Sequence, residues 1–189
     1  MKKLAFVAAV VLLSACAAPQ PQQLNLHPSA TLSSAQLVQG KTYALTSKDL
    51  RTAQYVALID NGHANVIPMH TRQNLRVTLE ETFAKQLNSQ GFAANLNSEN
   101  NVELDIEDLL VNVKHSVLSS EMDGKIVLTV VAETPRGKLT KTFTGTAKRS
   151  APLSASDEDI TRVVNDLINM TLADIGNDKE LRDYMKENF

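Results

Sequence analysis

VELDIEDLLVNVKHSVLSSEMDGKIVLTVVAETPRGKLTKTFTGTAK, residues 102–148, is the stretch whose pattern decides the fold. Val102, Leu104 and Ile106 alternate with Glu103, Asp105 and Glu107, which predicts a half-buried strand with one acidic face. Leu109, Val111 and Val113 continue in the opposite register, so a bulge or a change of partner is expected near Asp108. Glu121-Met122-Asp123-Gly124 reads as a turn, and residues 126–132 as a central strand rich in β-branched apolar side chains. Pro135-Arg136-Gly137 turns the chain back. Residues 138–148 then carry threonine at alternate positions, as a solvent-facing strand surface would. The expectation is an antiparallel meander.

Two amphipathic helices flank it. Leu75, Leu79, Phe83 and Leu87 recur every four residues, with Arg76, Glu80, Glu81 and Lys85 between them. Asn74 can cap the start, and Gly91 with Phe92 suits a left-handed C-terminal cap. Ser156 followed by Asp157, Glu158 and Asp159 marks the second helix start, with acidic residues at the positive end of the helix dipole. Ile160, Val163, Val164, Leu167, Ile168, Thr171, Leu172 and Ile175 continue it, and Gly176 is expected to stop it. A short final helix over 178–188 carries Leu181, Tyr184 and Met185. Ahead of the first helix, a strand is expected over 42–47, a hairpin around Asn61-Gly62, and a short edge strand at 24–27. The fold class is therefore α+β: a mostly antiparallel sheet with two amphipathic helices packed on one face.

The other informative stretch is MKKLAFVAAVVLLSACAAPQ, residues 1–20. Lys2 and Lys3 precede an apolar run of about ten residues, the span of a signal-peptide core. That is shorter than the roughly 20 apolar residues a membrane-crossing helix needs. Ser14 and Ala15 then lead into Cys16, the single cysteine of the 189-residue chain. A leucine, two small residues and a cysteine resemble the bacterial lipobox, with cleavage between Ala15 and Cys16 and covalent lipid on the Cys16 thiol. Each buried CH₂ contributes about 0.8 kcal/mol, so several chains on one residue anchor durably where one does not. By resemblance to sorted bacterial lipoproteins, alanine rather than aspartate at position 17 implies the outer membrane. The domain plan is a signal peptide over 1–15, a lipidated N-terminus and Pro/Gln-rich tether over 16–40, and one periplasmic domain over 41–189.

Composition narrows the function. The net charge is −2 and the pI near 6.1, so no global field draws in nucleic acid. Aromatics make up 4% of residues and tryptophan is absent, which removes the usual stacking platform for sugars or bases. With Cys16 given to lipid, no thiol remains for a disulfide, a nucleophile or a metal.

In order and spacing the chain resembles the YajG family of Gram-negative lipoproteins. The resemblance is carried by LSAC at 13–16, DLRTAQ at 49–54 and LRVTLEETFAKQLNSQGF at 75–92. It continues through VELDIEDL at 102–109, the meander, and ADIGNDKELRDYMKEN at 173–188. It implies a periplasmic domain anchored to the inner leaflet of the outer membrane, and brings no catalytic residues with it.

Candidate chemistry is sparse. His27, His63, His70 and His115 form no HExxH or similar ligand spacing, so no metal site is expected. Gly40-Lys41-Thr42 lacks the first glycine of a phosphate loop, and no GxSxG or SxxK motif occurs. Two groups remain as candidate partner contacts, each with a structural alternative: Asp49 with Arg51 in the DLRTAQ segment, a pair that more commonly braces strand to helix, and Glu103, Asp105 and Glu107 on the acidic strand face, which more commonly is a solvated face guarded against edge pairing. The resulting expectation is a non-catalytic, lipid-anchored module without cofactor that binds another envelope component. A carrier of an apolar small molecule, held between helices and sheet, is the alternative.

Overall fold

A computed structural model describes residues 22–63 and 65–189 of the chain. The signal segment, the cleavage point Ala15–Cys16 and the lipidation site Cys16 lie outside the described residues. In order the elements are β1 (Gln23–Leu24), β2 (Thr42–Asp49), β3 (Tyr55–Asp60), β4 (Ile67–Thr71), α1 (Leu75–Ser89) and β5 (Ala93–Ala94). They continue as β6 (Asn101–His115), β7 (Ser119–Thr134), β8 (Gly137–Pro152), α2 (Asp157–Asn177) and α3 (Lys179–Asn188).

The sheet is organised on β6. One edge of this long strand pairs antiparallel with β7, which pairs antiparallel with β8. The other edge is shared end to end by two strands that run parallel to it. β2 takes residues 101–106, through pairs such as Thr46–Glu103 and Asp49–Ile106, and β3 takes 111–114. β4 pairs antiparallel with β3, β1 parallel with β4, and β5 parallel with β2. The bulge expected near Asp108 lies between Ile106 and Asp108, and there the neighbour of β6 changes from β2 to β3.

Two expectations need correction. The sheet is mixed rather than mostly antiparallel: among the described residues, four of its seven strand pairings are parallel. The reason is α1, a crossover that returns the chain to β6 in the direction of β2 and β3. Among the described residues there are three helices rather than the two of the fold class: the short final helix expected over 178–188 is a separate α3, capped by Asp178, which accepts the Leu181 N–H at 2.8 Å.

Smaller differences follow the same logic. Residues 121–124 lie inside β7 rather than in a turn, because the reversal falls at Ser116, whose N–H donates to the Ser119 carbonyl at 2.8 Å. Gly176 belongs to α2, buried where an added Cβ would meet the Gln86 amide. Residues 22–40 pack on the body: Leu24 and Leu26 are buried, and the Leu37 N–H donates to the Gln90 carbonyl.

One apolar layer holds the helices to the sheet. Leu79 and Phe83 of α1 and Ile160, Val164 and Leu167 of α2 are fully buried with Leu104, Ile106, Leu128 and Val130. The caps behave as the spacing predicts. Asn74 Oδ1 accepts the Val77 N–H, and Ser156 and Asp159 form a reciprocal capping box. Gly91, at φ 97°, lets Gly91 and Phe92 return N–H bonds to Asn88 and Leu87.

Candidate functional site

The five expected partner-contact residues fall on opposite faces of the sheet. Ser47 reaches Glu80 and Arg76 of α1, so β2 residues of odd number face the helices, and Asp49 with them. Lys48 faces outward and pairs in register with Asp105, while its Nζ donates to Glu103 Oε1 at 2.7 Å. Glu103, Asp105 and Glu107 therefore share the outer face.

Asp49 and Arg51 close the gap where β2 ends and β3 has not begun. Arg51 Nε and Nη2 grip both oxygens of Asp49 at 2.9 and 2.8 Å, and Nη1 donates to the Tyr55 carbonyl at 3.2 Å. The Arg51 side chain is only 4% exposed. Burial alone would push the Asp49 carboxyl up; the hydrogen bonds and charge of Arg51 outweigh it and leave the carboxyl below its usual range. All three donor nitrogens of Arg51 are engaged, so the pair braces a strand break. Beside it lies a polar cleft of about 260 Å³ bordered by Gln54, His70, Gln73 and Arg76.

The outer-face group is less complete. Asp105 is 8% exposed, flanked across the sheet by Lys48 and Thr129, and its Oδ1 is buried without a hydrogen-bond partner. Its carboxyl is pushed up, first by burial and then by the negative charge of Glu103, with Lys48 opposing and Glu107 adding. Thr129 bonds Thr142 instead, Oγ1 to Oγ1 at 2.9 Å. Glu107 stands exposed at the bulge. The arrangement can accept hydrogen bonds and positive charge; it offers no nucleophile.

The histidines stay dispersed. His70 meets Tyr55 edge-on in the cleft. His63 and His115, far apart in sequence, border one open hollow at the β6–β7 hairpin. Among the described residues no group of His, Cys, Asp and Glu could hold a metal ion, and no helix is long and apolar enough to cross a membrane.

Residues that pattern reading passed over lie at that same hairpin. Val117 and Leu118, exposed between Ser116 and Ser119, were hidden between two strand patterns; the signal was an apolar pair inside a serine-rich turn.

An α+β domain with helices on one sheet face and the other face open describes the class in structural terms. The family model described as "Uncharacterized lipoprotein" matches residues 28–186, so the class is a lipoprotein. The chain belongs to the YajG family of lipoproteins. It is 25% identical over 190 residues to the uncharacterized lipoprotein YajG of Escherichia coli strain K12, covering 99% of this chain and 98% of that one. The YajG of Escherichia coli O6:H1 strain CFT073 gives the same figures. A crystal structure of protein XCC0632 from Xanthomonas campestris is similar in fold alone: TM-score 0.55, 10% identity, 82% of this chain and 92% of that one.

Proposed function

We propose that this lipoprotein is held to the periplasmic face of the outer membrane by lipid on Cys16 and binds another envelope component without catalysing a reaction. The observation that carries the binding surface is the buried, unpaired Oδ1 of Asp105 in the middle of an open sheet face. Lys48, the cation that stands across from it, is already turned to Glu103. A partner's lysine or arginine laid across this face would supply the missing donor, and a charge-assisted bond of this kind is stronger than a neutral one. The alternative, an apolar ligand between helices and sheet, finds that layer filled by fully buried Leu79, Phe83, Leu104, Leu128 and Leu167.

The test is crosslinking in cells followed by mass spectrometry, on the natural chain, on Cys16→Ser, and on Glu103→Gln/Asp105→Asn/Glu107→Gln. A specific adduct lost in both variants is expected. An adduct that survives the triple substitution overturns the outer-face reading. A Cys16→Ser chain still membrane-bound after a high-salt wash overturns the anchor.

A further inference from the structure

Large apolar side chains are exposed singly over most of the described surface, as is ordinary. At one end of the sheet they gather. Val117 and Leu118, at the tip of the β6–β7 hairpin, are 90% and 79% exposed. Leu153, just past β8, is 66% exposed beside them, and its N–H donates to the Leu118 carbonyl at 3.0 Å. Val66 and Ile67 are exposed at the start of β4, at the same end, since Ile67 pairs with Ile59 and Ile59 with Val113.

Leu153 is held there against its own preference. Its φ of 59° makes it the one non-glycine residue among those described with a left-handed backbone, a conformation that costs roughly 1–2 kcal/mol. Buried Ser120 fixes it: the hydroxyl donates to the Leu153 carbonyl at 2.6 Å and accepts the Ala155 N–H at 2.9 Å. The structure thus spends a strained turn to present a leucine to the outside.

We propose that this end faces the bilayer, with Val117, Leu118 and Leu153 resting in the interfacial layer of the membrane to which the chain is anchored. The proposal builds on the lipid anchor at Cys16 and adds an orientation and a second contact. β1 runs parallel to β4, with Gln23 abreast of His70 and the Gln22 carbonyl accepting the His70 N–H. Because β4 runs from Ile67 toward Thr71, the N-terminal end of β1 lies on the side of the apolar end.

The lengths agree. His70 is abreast of Tyr55, two residues before Ala57, whose partner is Val111. From that level to the end of β6 at His115 is six residues, about 20 Å at the usual rise, and Val117 lies two residues further in the turn. Cys16 and Gln23 are seven positions apart, a reach of at most about 25 Å. The leash can therefore bring its cysteine about level with the hairpin tip. The opposite end, where Leu96 stands exposed among polar residues, is reached only if the chain reverses at Gln22. A single lipidated cysteine leaves a domain free to swivel; apolar side chains at the interface limit it.

The contact is apolar rather than electrostatic. Exposed Lys114, at the base of the hairpin, is abreast of Glu121, which offsets its charge, and Asp157 and Glu158 in the first turn of α2 follow Leu153 closely at the same end. Anionic lipid gains nothing from them, so high salt and added phosphatidylglycerol leave the contact unstrengthened.

Because the chain contains no tryptophan, single substitutions give clean reporters. Val117→Trp, Leu118→Trp and, at the far end, Leu96→Trp are made in the full lipidated protein and incorporated into phosphatidylethanolamine vesicles, with and without phosphatidylglycerol. With lipids brominated on the acyl chain, emission from positions 117 and 118 is expected to be shifted to the blue and quenched several-fold more strongly than from position 96. Co-flotation with equal, weak quenching at all three positions overturns the bilayer contact and leaves the anchor standing. Failure to co-float overturns the anchor and the proposal together.

Discussion

Strands β7 and β8 present two faces made from alternate residues of the same chain, and the two are built to different tolerances. On the helix side, Gly124 and Gly145 make a floor on which α2 lies. A Cβ at Gly124 would come 2.6 Å from Leu167 Cδ1, and one at Gly145 would meet Thr171 Oγ1 and stand 2.8 Å from Ile126 Cγ2. On the outer side β8 carries the exposed Thr140, Thr142, Thr144 and Thr146, which nothing among the described residues covers. Close packing makes one face specific and leaves the other free to change. That arrangement suits the binding role proposed for the outer face.

The sharpest way to break the contrast is to exchange neighbours across it. Gly145→Leu forces a side chain into the seat of α2 and is expected to cost about 3 kcal/mol, the upper end of the usual range for overpacking. Thr144→Ala, one residue away on the outer face, should stay within about 0.5 kcal/mol. Urea unfolding of the two variants measures the difference. Similar losses would mean that the outer face is also structural and would weaken its assignment as a binding surface.

A smaller effect is expected at the strand break. Arg51→Ala leaves the Asp49 carboxylate and the Tyr55 carbonyl without their donors in a largely buried position. A loss of about 2–3 kcal/mol is expected. Asp49→Asn, which keeps part of the hydrogen bonding, should lose less. If Arg51→Ala were neutral in stability but abolished the crosslinked adduct, the guanidinium would belong to recognition and not to the brace.

How far these regions were legible from the chain follows from the range of the forces that shape them. The helices announce themselves through local spacing and caps, as Asn74, Gly91 and Ser156 show. The β6–β7–β8 meander is likewise local, closed by short turns and written in alternation. The parallel half is not. Nothing in residues 42–60 says that β2 and β3 will lie end to end along one edge of β6, because that placement is set by the α1 crossover that separates both from β6. The acidic face of β6 was plain in Glu103, Asp105 and Glu107. That Asp49 and Arg51 could engage each other was readable from their charges and spacing; that they would be turned to the other side depended on the pleat of a strand whose partner sequence could not name. The apolar end was illegible for a further reason: Val117 and Leu153 are 36 positions apart in sequence and meet only through the β7–β8 register.

The smallest expected effect sharpens the comparison most, because the two faces should respond to acid with opposite sign. Asp49 has a folded-state pKa below its ordinary value of 3.8, so its contribution is present above that value and is lost as the pH falls through the folded pKa. Asp105 has a folded-state pKa above 3.8, so it binds a proton more readily folded than unfolded. Its contribution is complete below 3.8 and is lost as the pH rises through the folded value. Asp105→Asn should therefore leave stability in strong acid unchanged and raise it at pH 7 by at most about 1 kcal/mol, since the amide still carries an oxygen to satisfy. Asp49→Asn should lower stability at pH 7 and converge on the natural chain in acid. Measured together by urea unfolding at pH 3 and pH 7, a gain for Asp105→Asn would mark a carboxylate kept at a cost to the fold, as a residue retained for binding would be. A loss would instead make Asp105 a structural acceptor and remove the central residue from the proposed surface.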